Sequence, residues 1–165
     1  MLAPNSDLSA VAPQRAKGAA RLATKSVEGR TRIDVFYQEG SGKIRIPESF
    51  DGNMEAVLIN TSGGLTGGDR IDWGVHAGAN TKVTVTTQAC ERIYKSTGGD
   101  AQVTAHLSVG AGAQLHWLPQ ETILFNQGSL GRTLNVELAA DAELIALEAV
   151  LLGRKAMGET VAEGS

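Results

Sequence analysis

A glycine-rich run from Asn60 to Asp69, NTSGGLTGGD, has the composition of a loop that could surround phosphate with backbone N–H groups. Gly63 and Gly68 have the separation found in a P-loop, which continues with lysine and then serine or threonine. Here Asp69 and Arg70 follow instead, and the Asp69 carboxylate would repel phosphate. No G-x-G-x-x-G motif is present either, so the run predicts no nucleotide site.

The same run is better explained as a tight crossing between two strands. Glycine adopts backbone conformations that other residues avoid, and it lets two backbone segments approach closely. Asn60 and Thr61 would hydrogen bond to the backbone at the start of this crossing. The glycines that we expect to shape it are Gly63, Gly64, Gly67 and Gly68.

Metal ligands of the nitrogen and sulfur type are sparse in this chain. The three histidines have no close spacing, and Cys90 is the single cysteine, so no C-x-x-C pair exists. The sequence therefore predicts no dedicated zinc or nickel site of that type. Carboxylates hold divalent cations more loosely, which suits passage better than storage. Those that could do so are Asp69, Asp72, Glu91, Glu121, Glu148 and Glu159.

Nucleophilic catalysis has little support in the sequence. Cys90 and Ser62 lie in no G-x-S-x-G elbow or other known nucleophile signature, and we expect Cys90 to be a small core residue. Asp69 or Glu121 could serve as a general base, but no paired acid–base motif accompanies either residue. We therefore expect a protein that binds partners rather than an enzyme.

Polar residues interrupt two otherwise apolar segments. A polar cluster follows an apolar strand and consists of Gln88, Glu91, Arg92, Tyr94 and Lys95, and Gln120 and Glu121 stand between hydrophobic flanks. Polar groups at such positions must be satisfied by water, by an ion or by the backbone of a partner. On physical grounds alone, these are the residues that we expect to be functional.

Short alternating segments separated by turn residues make up most of the chain, which is typical of an all-β protein. Hydrophobic residues are 42 % of the sequence and aromatic residues only 4 %, so the core must be aliphatic. The segment 86–96 could form a helical turn, but no amphipathic helix of ten or more residues is apparent. The predicted strands are 32–38, 55–60, 71–77, 81–87, 101–109, 114–118, 122–125, 132–138 and 143–152.

A weak internal repeat consists of a strand, a small-residue turn and a second strand. Aligning Gly78, Gly112 and Asp141 gives steps of 34 and 29 residues. Steps of that size predict stacked β-hairpins or a layered, β-solenoid-like sheet. We expect residues 17–165 to form this single domain and residues 1–16, rich in Ala, Pro and Ser, to be a disordered leader.

Charge and hydropathy exclude several functional classes. The net charge of −3 gives no basic field for nucleic acid, and a single cysteine excludes a disulfide scaffold. The first residues do not have the pattern of a signal peptide, and no apolar run reaches the about 20 residues that span a bilayer. We therefore expect a cytoplasmic protein with neither nucleic-acid nor membrane partners.

Four blocks in order resemble the UreD family of urease accessory proteins, also called UreH. They are NTSGGLTGGDR (60–70), TTQACERIYKS (86–96), LPQETILF (118–125) and LLGRKAMGE (151–159). The resemblance implies a mostly β fold of stacked, layered antiparallel sheets with few short helices. It also implies a chain that continues well beyond Ser165, so we expect a truncated member of the family that is aggregation-prone or only marginally stable alone.

The resemblance further implies a non-catalytic scaffold that binds apo-urease. With UreF and the GTPase UreG, such a scaffold would deliver nickel to the urease active site, the metal passing through a water-filled interior without being tightly bound. The alternative is a structural β-repeat protein with no role in metal delivery. Positions that match the family's blocks make these residues the candidates for the passage or for partner binding: Asp69, Gln88, Glu91, Gln120, Glu121 and Glu159.

Overall fold

A computed structural model describes residues 14–49, 52–154 and 157–165 of the chain. These residues form strands joined by turns, and no α-helix occurs among them. The strands are β1 (Lys17–Val27), β2 (Arg30–Gly40), β3 (Gly42–Arg45), β4 (Met54–Asn60), β5 (Arg70–Ala77), β6 (Lys82–Thr87), β7 (Glu91–Ile93), β8 (Ala101–Val109), β9 (Gln114–Leu118), β10 (Thr122–Leu124), β11 (Leu130–Leu138), β12 (Glu143–Ala146) and β13 (Val150–Leu152).

The strands form three sheets. From β5 onward, each circuit of the chain around the solenoid contributes one strand to each sheet. Sheet A has the order β11-β8-β5-β1-β2, sheet B the order β12-β9-β6-β4-β3, and sheet C the order β13-β10-β7. From β4 onward successive strands of the chain belong to different sheets, whereas β1 and β2 are neighbours in sheet A and β3 and β4 are neighbours in sheet B. From Arg70 onward the chain makes three coils: coil 1 is β5–β7, coil 2 is β8–β10 and coil 3 is β11–β13.

Each strand of a coil pairs in parallel with the equivalent strand of the next coil. In sheet A, Ile71 lies opposite Val103, which in turn lies opposite Arg132. The same in-register parallel pairing relates the coils in sheets B and C. The predicted all-β, β-solenoid-like architecture is confirmed.

The expected antiparallel arrangement is wrong for most of the structure. Among the paired strands, only β1 with β2 and β3 with β4 are antiparallel. The small-residue turns, which were interpreted as hairpin turns, instead carry the chain from one sheet to the next. Each strand therefore pairs with the equivalent strand of the following coil and not with the next strand along the chain. The few short helices expected from the resemblance are also not found in the described ranges, and the segment proposed as a helical turn contains β7.

The true repeat differs slightly from the one predicted. Lys82, Gln114 and Glu143 are paired across the coils, which gives steps of 32 and 29 residues rather than 34 and 29. The register of the neighbouring strands places Gly110, not Gly112, at the level of Gly78. A two-residue error of this kind leaves the inward and outward faces unchanged because side chains alternate with a period of two.

The core is the stack of inward-facing side chains along the solenoid axis. It is mainly aliphatic, as the composition predicts, and Leu58, Ile71, Leu107 and Leu115 are each no more than 2 % exposed. Burial of this apolar stripe is the main force that stabilises the coils on one another. Trp117 adds the largest of the fully buried side chains.

The two ends of the stack differ in how well the core is covered. At the first end, the antiparallel pairs β1–β2 and β3–β4 bring Ile44 and Met54 into the core. In coil 3, Val136 is 39 % exposed, although its equivalent in coil 2, Leu107, is 2 % exposed. Inward positions in coil 3 are therefore packed on one side only.

The N-terminal prediction lies mostly outside the described residues. Of the leader expected over residues 1–16, residues 1–13 are not described, while Ala16 hydrogen bonds through its carbonyl to the Arg70 N–H at the start of sheet A. None of the described residues forms an apolar helix of membrane-spanning length.

Leu115→Ala should lower the free energy of unfolding by about 3 kcal/mol, because it opens a cavity in the fully buried stack. Leu138→Ala removes the same atoms from a side chain that is 51 % exposed, so it should cost less than about 1 kcal/mol. Urea unfolding of the two variants measures the difference. Equal losses would contradict the assignment of Leu115 to the closed part of the core.

Candidate functional site: a polar cavity inside the solenoid

A cavity of about 140 Å³ lies between the three sheets, with room for several water molecules. Its apolar walls include Trp73 and Val103 of sheet A and Leu58 and Trp117 of sheet B. Its polar lining includes Asn60, Thr87, Gln88, Glu91, Gln120, Thr122 and Arg132. The cavity is therefore part of the solenoid core, but it is lined by groups that bind water or ions.

Several residues that line the cavity are exposed, and two loops that leave sheet B contribute three of them beside Gly63 and Arg92. Gln88 and Ala89 in the first loop and Gln120 in the second are exposed, while Thr122 farther inside is 3 % exposed. The two loops are tied together because the backbone N–H of Gln120 donates to the Thr87 hydroxyl at 2.9 Å. We call the opening formed by residues 88–90 and 119–120 the lateral mouth.

Glu91 is the acidic group of the cavity. The strand β7 points Glu91 and the buried Ile93 inward, with Arg92 on the outer face. Asn60 donates its amide N–H to both Glu91 carboxylate oxygens at 3.1 Å. Burial raises the pKa of the Glu91 carboxyl above its ordinary value, although the hydrogen bonds from Asn60 and the Arg92 backbone and the charge of Arg132 oppose that rise.

A second polar group closes the cavity at its coil 3 end. Arg132 forms two hydrogen bonds with Glu148, from Nε at 2.9 Å and from Nη2 at 2.7 Å. The buried indole of Trp117 donates to the same carboxylate at 3.1 Å. Desolvation alone would raise the pKa of Glu148, but the hydrogen bonds from Arg132 and Trp117 outweigh it and lower that pKa. Glu148 is therefore held as a carboxylate between coils 2 and 3.

Three of the six candidate residues from the sequence meet at this cavity. Gln88 and Gln120 lie at its lateral mouth, and Glu91 lies inside it. Two of the glycines of the predicted crossing, Gly63 and Gly64, also line it. The polar residues picked out between apolar flanks therefore converge in space from loops that are 32 residues apart in the chain.

The other three candidates are placed elsewhere among the described residues. Asp69 is 6 % exposed, and its carboxylate accepts hydrogen bonds from the N–H groups of Ala16 and Thr66, both at 2.8 Å. Glu159 forms an ion pair with Arg154 at 2.7 Å, which lowers the Glu159 pKa. Glu121 is half-buried beside the mouth, and its backbone carbonyl accepts from the Glu91 N–H.

The glycine-rich run is a compact crossing held by local hydrogen bonds. Asn60 accepts from the Ser62 N–H, and Thr61 donates its hydroxyl to the Ser41 carbonyl. Gly64 has a φ of +140°, and a side chain there would collide with the Tyr94 ring. Gly67 leaves no room for a side chain against the carbonyls of residues 98 and 99. These contacts account for glycine at both positions without any ligand.

Polar residues of the cavity that were not among the candidates predicted from the sequence include Asn60, Thr122 and Arg132. Glu148, which was predicted as a carboxylate that could hold a cation, pairs with Arg132 beside the cavity. The sequence pattern could have identified Arg132, because it stands two residues before Leu134, on the same face of the strand, at a position where alternation predicts an apolar residue. The prediction that Cys90 is a core residue is wrong, since Cys90 is half-buried and lines the cavity at the lateral mouth. The turn between β6 and β7 brings it out of the stack.

Within the described ranges, no three His, Cys, Asp or Glu side chains come together as a set of metal ligands. His76 and His106 are exposed on the outer face of sheet A, where they hydrogen bond to Ser108 and Asn135 respectively. A cation in the cavity would meet the Glu91 carboxylate, neutral oxygen donors and the Cys90 thiol, with the positive charge of Arg132 also on the wall. The oxygen donors of such a lining exchange readily on a divalent cation.

Asp69→Ala should destabilise the fold by about 2 kcal/mol, because it leaves two backbone N–H groups without their acceptor. The exposed Asp141 provides a control of equal charge, and Asp141→Ala should change stability by less than about 0.5 kcal/mol. Thermal or urea unfolding measures both values. Matching values for the two variants would contradict the anchoring role of Asp69.

Glu91→Gln should raise the thermal midpoint at neutral pH. Because the folded pKa of Glu91 is raised, its ionisation costs stability as pH rises through that pKa, and glutamine avoids this cost. Below the unfolded pKa of glutamate both side chains are neutral, so the advantage of glutamine should disappear. Melting curves at neutral and acid pH test this, with Glu121→Gln as the control for charge loss outside the cavity. A neutral-pH midpoint below that of the unsubstituted chain would contradict the assignment.

Comparison with known proteins gives a consistent family. The family model described as UreD urease accessory protein matches residues 16–165. Proteins named urease accessory protein UreD are similar to most of the chain. The one from Rhizobium leguminosarum bv. viciae is 62 % identical over 152 residues, which cover 92 % of this chain and 56 % of the relative. The Rhizobium etli protein is 63 % identical over 155 residues, covering 94 % of this chain and 57 % of the relative.

A relative from another genus gives the same result. The urease accessory protein UreD of a Chelativorans species is 62 % identical over 154 residues, covering 93 % of this chain and 56 % of that protein. The chain thus spans little more than half the length of the curated relatives it matches.

Proposed function

Because the chain belongs to the UreD urease accessory protein family, we propose that it acts in urease maturation as a non-catalytic scaffold that passes nickel through the Glu91 cavity. The observation that carries this proposal is a carboxylate placed inside a water-sized polar cavity of an otherwise aliphatic core. Burying a charged group in such a core is costly, and a structural solenoid would be more stable with an apolar residue there.

The chemistry of the cavity suits a metal in transit. Glu91 offers one anionic ligand, the Thr122 hydroxyl and the amides of Gln88 and Gln120 offer neutral oxygens, and water can complete the coordination sphere. Oxygen donors bind nickel more weakly than an imidazole or thiolate set does. The cavity would therefore accept a hydrated Ni²⁺ ion and release it again.

The proposed partners are apo-urease, UreF and the GTPase UreG, in the cytoplasm. The glycine-rich run lacks the lysine of a P-loop, and its glycines are explained by the strand crossing. GTP binding and hydrolysis are accordingly assigned to UreG. Neither nucleic acid nor a membrane is proposed as a partner, because the net charge is −3 and the histidines and basic residues form no cluster in the sequence.

A structural β-repeat protein with no role in metal delivery is the second candidate. The regular parallel stacking of three coils favours it, since such a stack is stable without any ligand. The nickel-delivery function requires the Glu91 carboxylate for urease maturation, whereas a purely structural function requires only that the chain folds.

The test places residues 16–165 in the frame of the longer Rhizobium etli relative, in place of its matching segment, beside the other urease genes. Glu91→Gln should lower the nickel content of purified urease by about tenfold while UreF and urease still co-purify with the scaffold, because only the charged cavity ligand is lost. Nickel is measured by elemental analysis and assembly by pull-down.

Glu121→Gln is the matched control, because it removes one negative charge beside the cavity and not from its lining. It should leave the nickel content within about twofold of the unsubstituted protein. Full nickel loading with Glu91→Gln and normal assembly would refute passage through this cavity and favour the purely structural role.

A further inference from the structure

Arg132 occupies a position that is apolar in the other two coils. The register of sheet A aligns it with Val103 in coil 2 and with Ile71 in coil 1, which are 5 % and 0 % exposed. An arginine at this inward position brings a permanent positive charge to the cavity wall. Its side chain is only 20 % exposed. A strand that needed only packing would use another aliphatic residue here.

The shortest contacts of Arg132 are with Glu148 and not with Glu91. Its two short hydrogen bonds go to Glu148, and its remaining terminal nitrogen is 3.5 Å from the Thr122 hydroxyl. Glu148 is in turn fixed by the Trp117 indole, which is 1 % exposed and cannot easily move. The guanidinium is thus held by two planar hydrogen bonds in a fixed orientation.

Glu91 forms no direct ion pair among the described residues, although the positive charge of Arg132 acts on it across the cavity. Glu91 hydrogen bonds to Asn60 and to the Arg92 backbone, while the ion pair of Arg132 is with Glu148. Yet both Glu91 and Arg132 line the same cavity. If Glu148 did not hold the guanidinium, Glu91 would be the acidic group in that cavity available to pair with it.

We propose that Glu148 is a positioning residue that holds Arg132 off Glu91, so that the Glu91 carboxylate stays open to a divalent cation entering from the lateral mouth. Arg132 then repels that cation from the coil 3 end of the cavity, and the two residues together set how tightly Glu91 binds it. This inference rests on the proposed function, because it assumes that a divalent cation enters the cavity.

The test measures Ni²⁺ binding to the purified chain by competition with a coloured chelator. Glu148→Gln should weaken binding by about tenfold, because the released guanidinium turns to Glu91 and competes with the metal. Arg132→Met should strengthen binding, because the repelling charge is gone. The double variant should bind at least as well as the unsubstituted chain, which makes the effect of Glu148 depend on Arg132.

Two further variants separate positioning from a general loss of structure. Arg21→Met removes an arginine that forms an ion pair with Asp72 on the outer face of sheet A, and it should leave Ni²⁺ binding unchanged. Arg132→Lys keeps the charge but not the paired hydrogen bonds, so it should not strengthen binding as Arg132→Met does. This comparison decides the question even if Glu148→Gln fails to fold, since equal effects of methionine and lysine at position 132 would overturn the proposal.

Glu91→Gln distinguishes failure of this inference from failure of the proposed function. If Glu91→Gln loses Ni²⁺ binding but Glu148→Gln binds like the unsubstituted chain, the positioning role is refuted and the cavity site stands. If the unsubstituted chain binds Ni²⁺ no better than Glu91→Gln, the cavity is not a nickel site and both proposals fail.

Discussion

Parallel, in-register pairing between equivalent strands of successive coils is the constraint on which the rest of the molecule depends. It runs the backbone hydrogen bonds along the solenoid axis and places each inward side chain on the one from the previous coil. The aliphatic core follows from it, because a continuous stripe is buried without any helix or disulfide. The polar lining of the cavity also follows from this pairing. Glu91 and Thr122 lie side by side because β7 and β10 pair at those residues. A shift of one strand by one residue in that register would turn its side chain to the outer face and separate the pair.

Parallel stacking is most simply achieved with apolar side chains at every inward position, and the structure departs from this at the cavity. Most inward positions carry Val, Leu, Ile or Ala, but at a few of them the stack holds a carboxylate, a hydroxyl and an arginine. Each buried polar group must find a partner, and here the partners come from different sheets and coils. Glu91 is satisfied by Asn60, and Arg132 by Glu148. Trp117 and Thr122 of coil 2 also contact Glu148 and Arg132 of coil 3, respectively, and the polar lining leaves space that an apolar core would fill.

Sequence reasoning reached the strands and part of the site for identifiable physical reasons. Alternation located segments such as β6 and β8 closely, because a period of two is set by each strand alone. The same alternation appears in parallel and antiparallel sheets, so it did not show which strands pair, and the hairpin interpretation was wrong. Gln88 and Gln120 were found because polar residues beside apolar strands stand out locally. The ion pair joins Arg132 in sheet A to Glu148 in the loop between β12 and β13, 16 residues apart, so no local sequence pattern predicts it.

The position of the lateral mouth determines how access to the cavity can be controlled. It lies on the flank of the solenoid, between loops that are hydrogen bonded to each other, and not at an end of the stack. Another protein seated across residues 88–90 and 119–120 would convert the open cleft into a sealed chamber. Binding and dissociation of that protein would then control whether water and ions can enter the cavity.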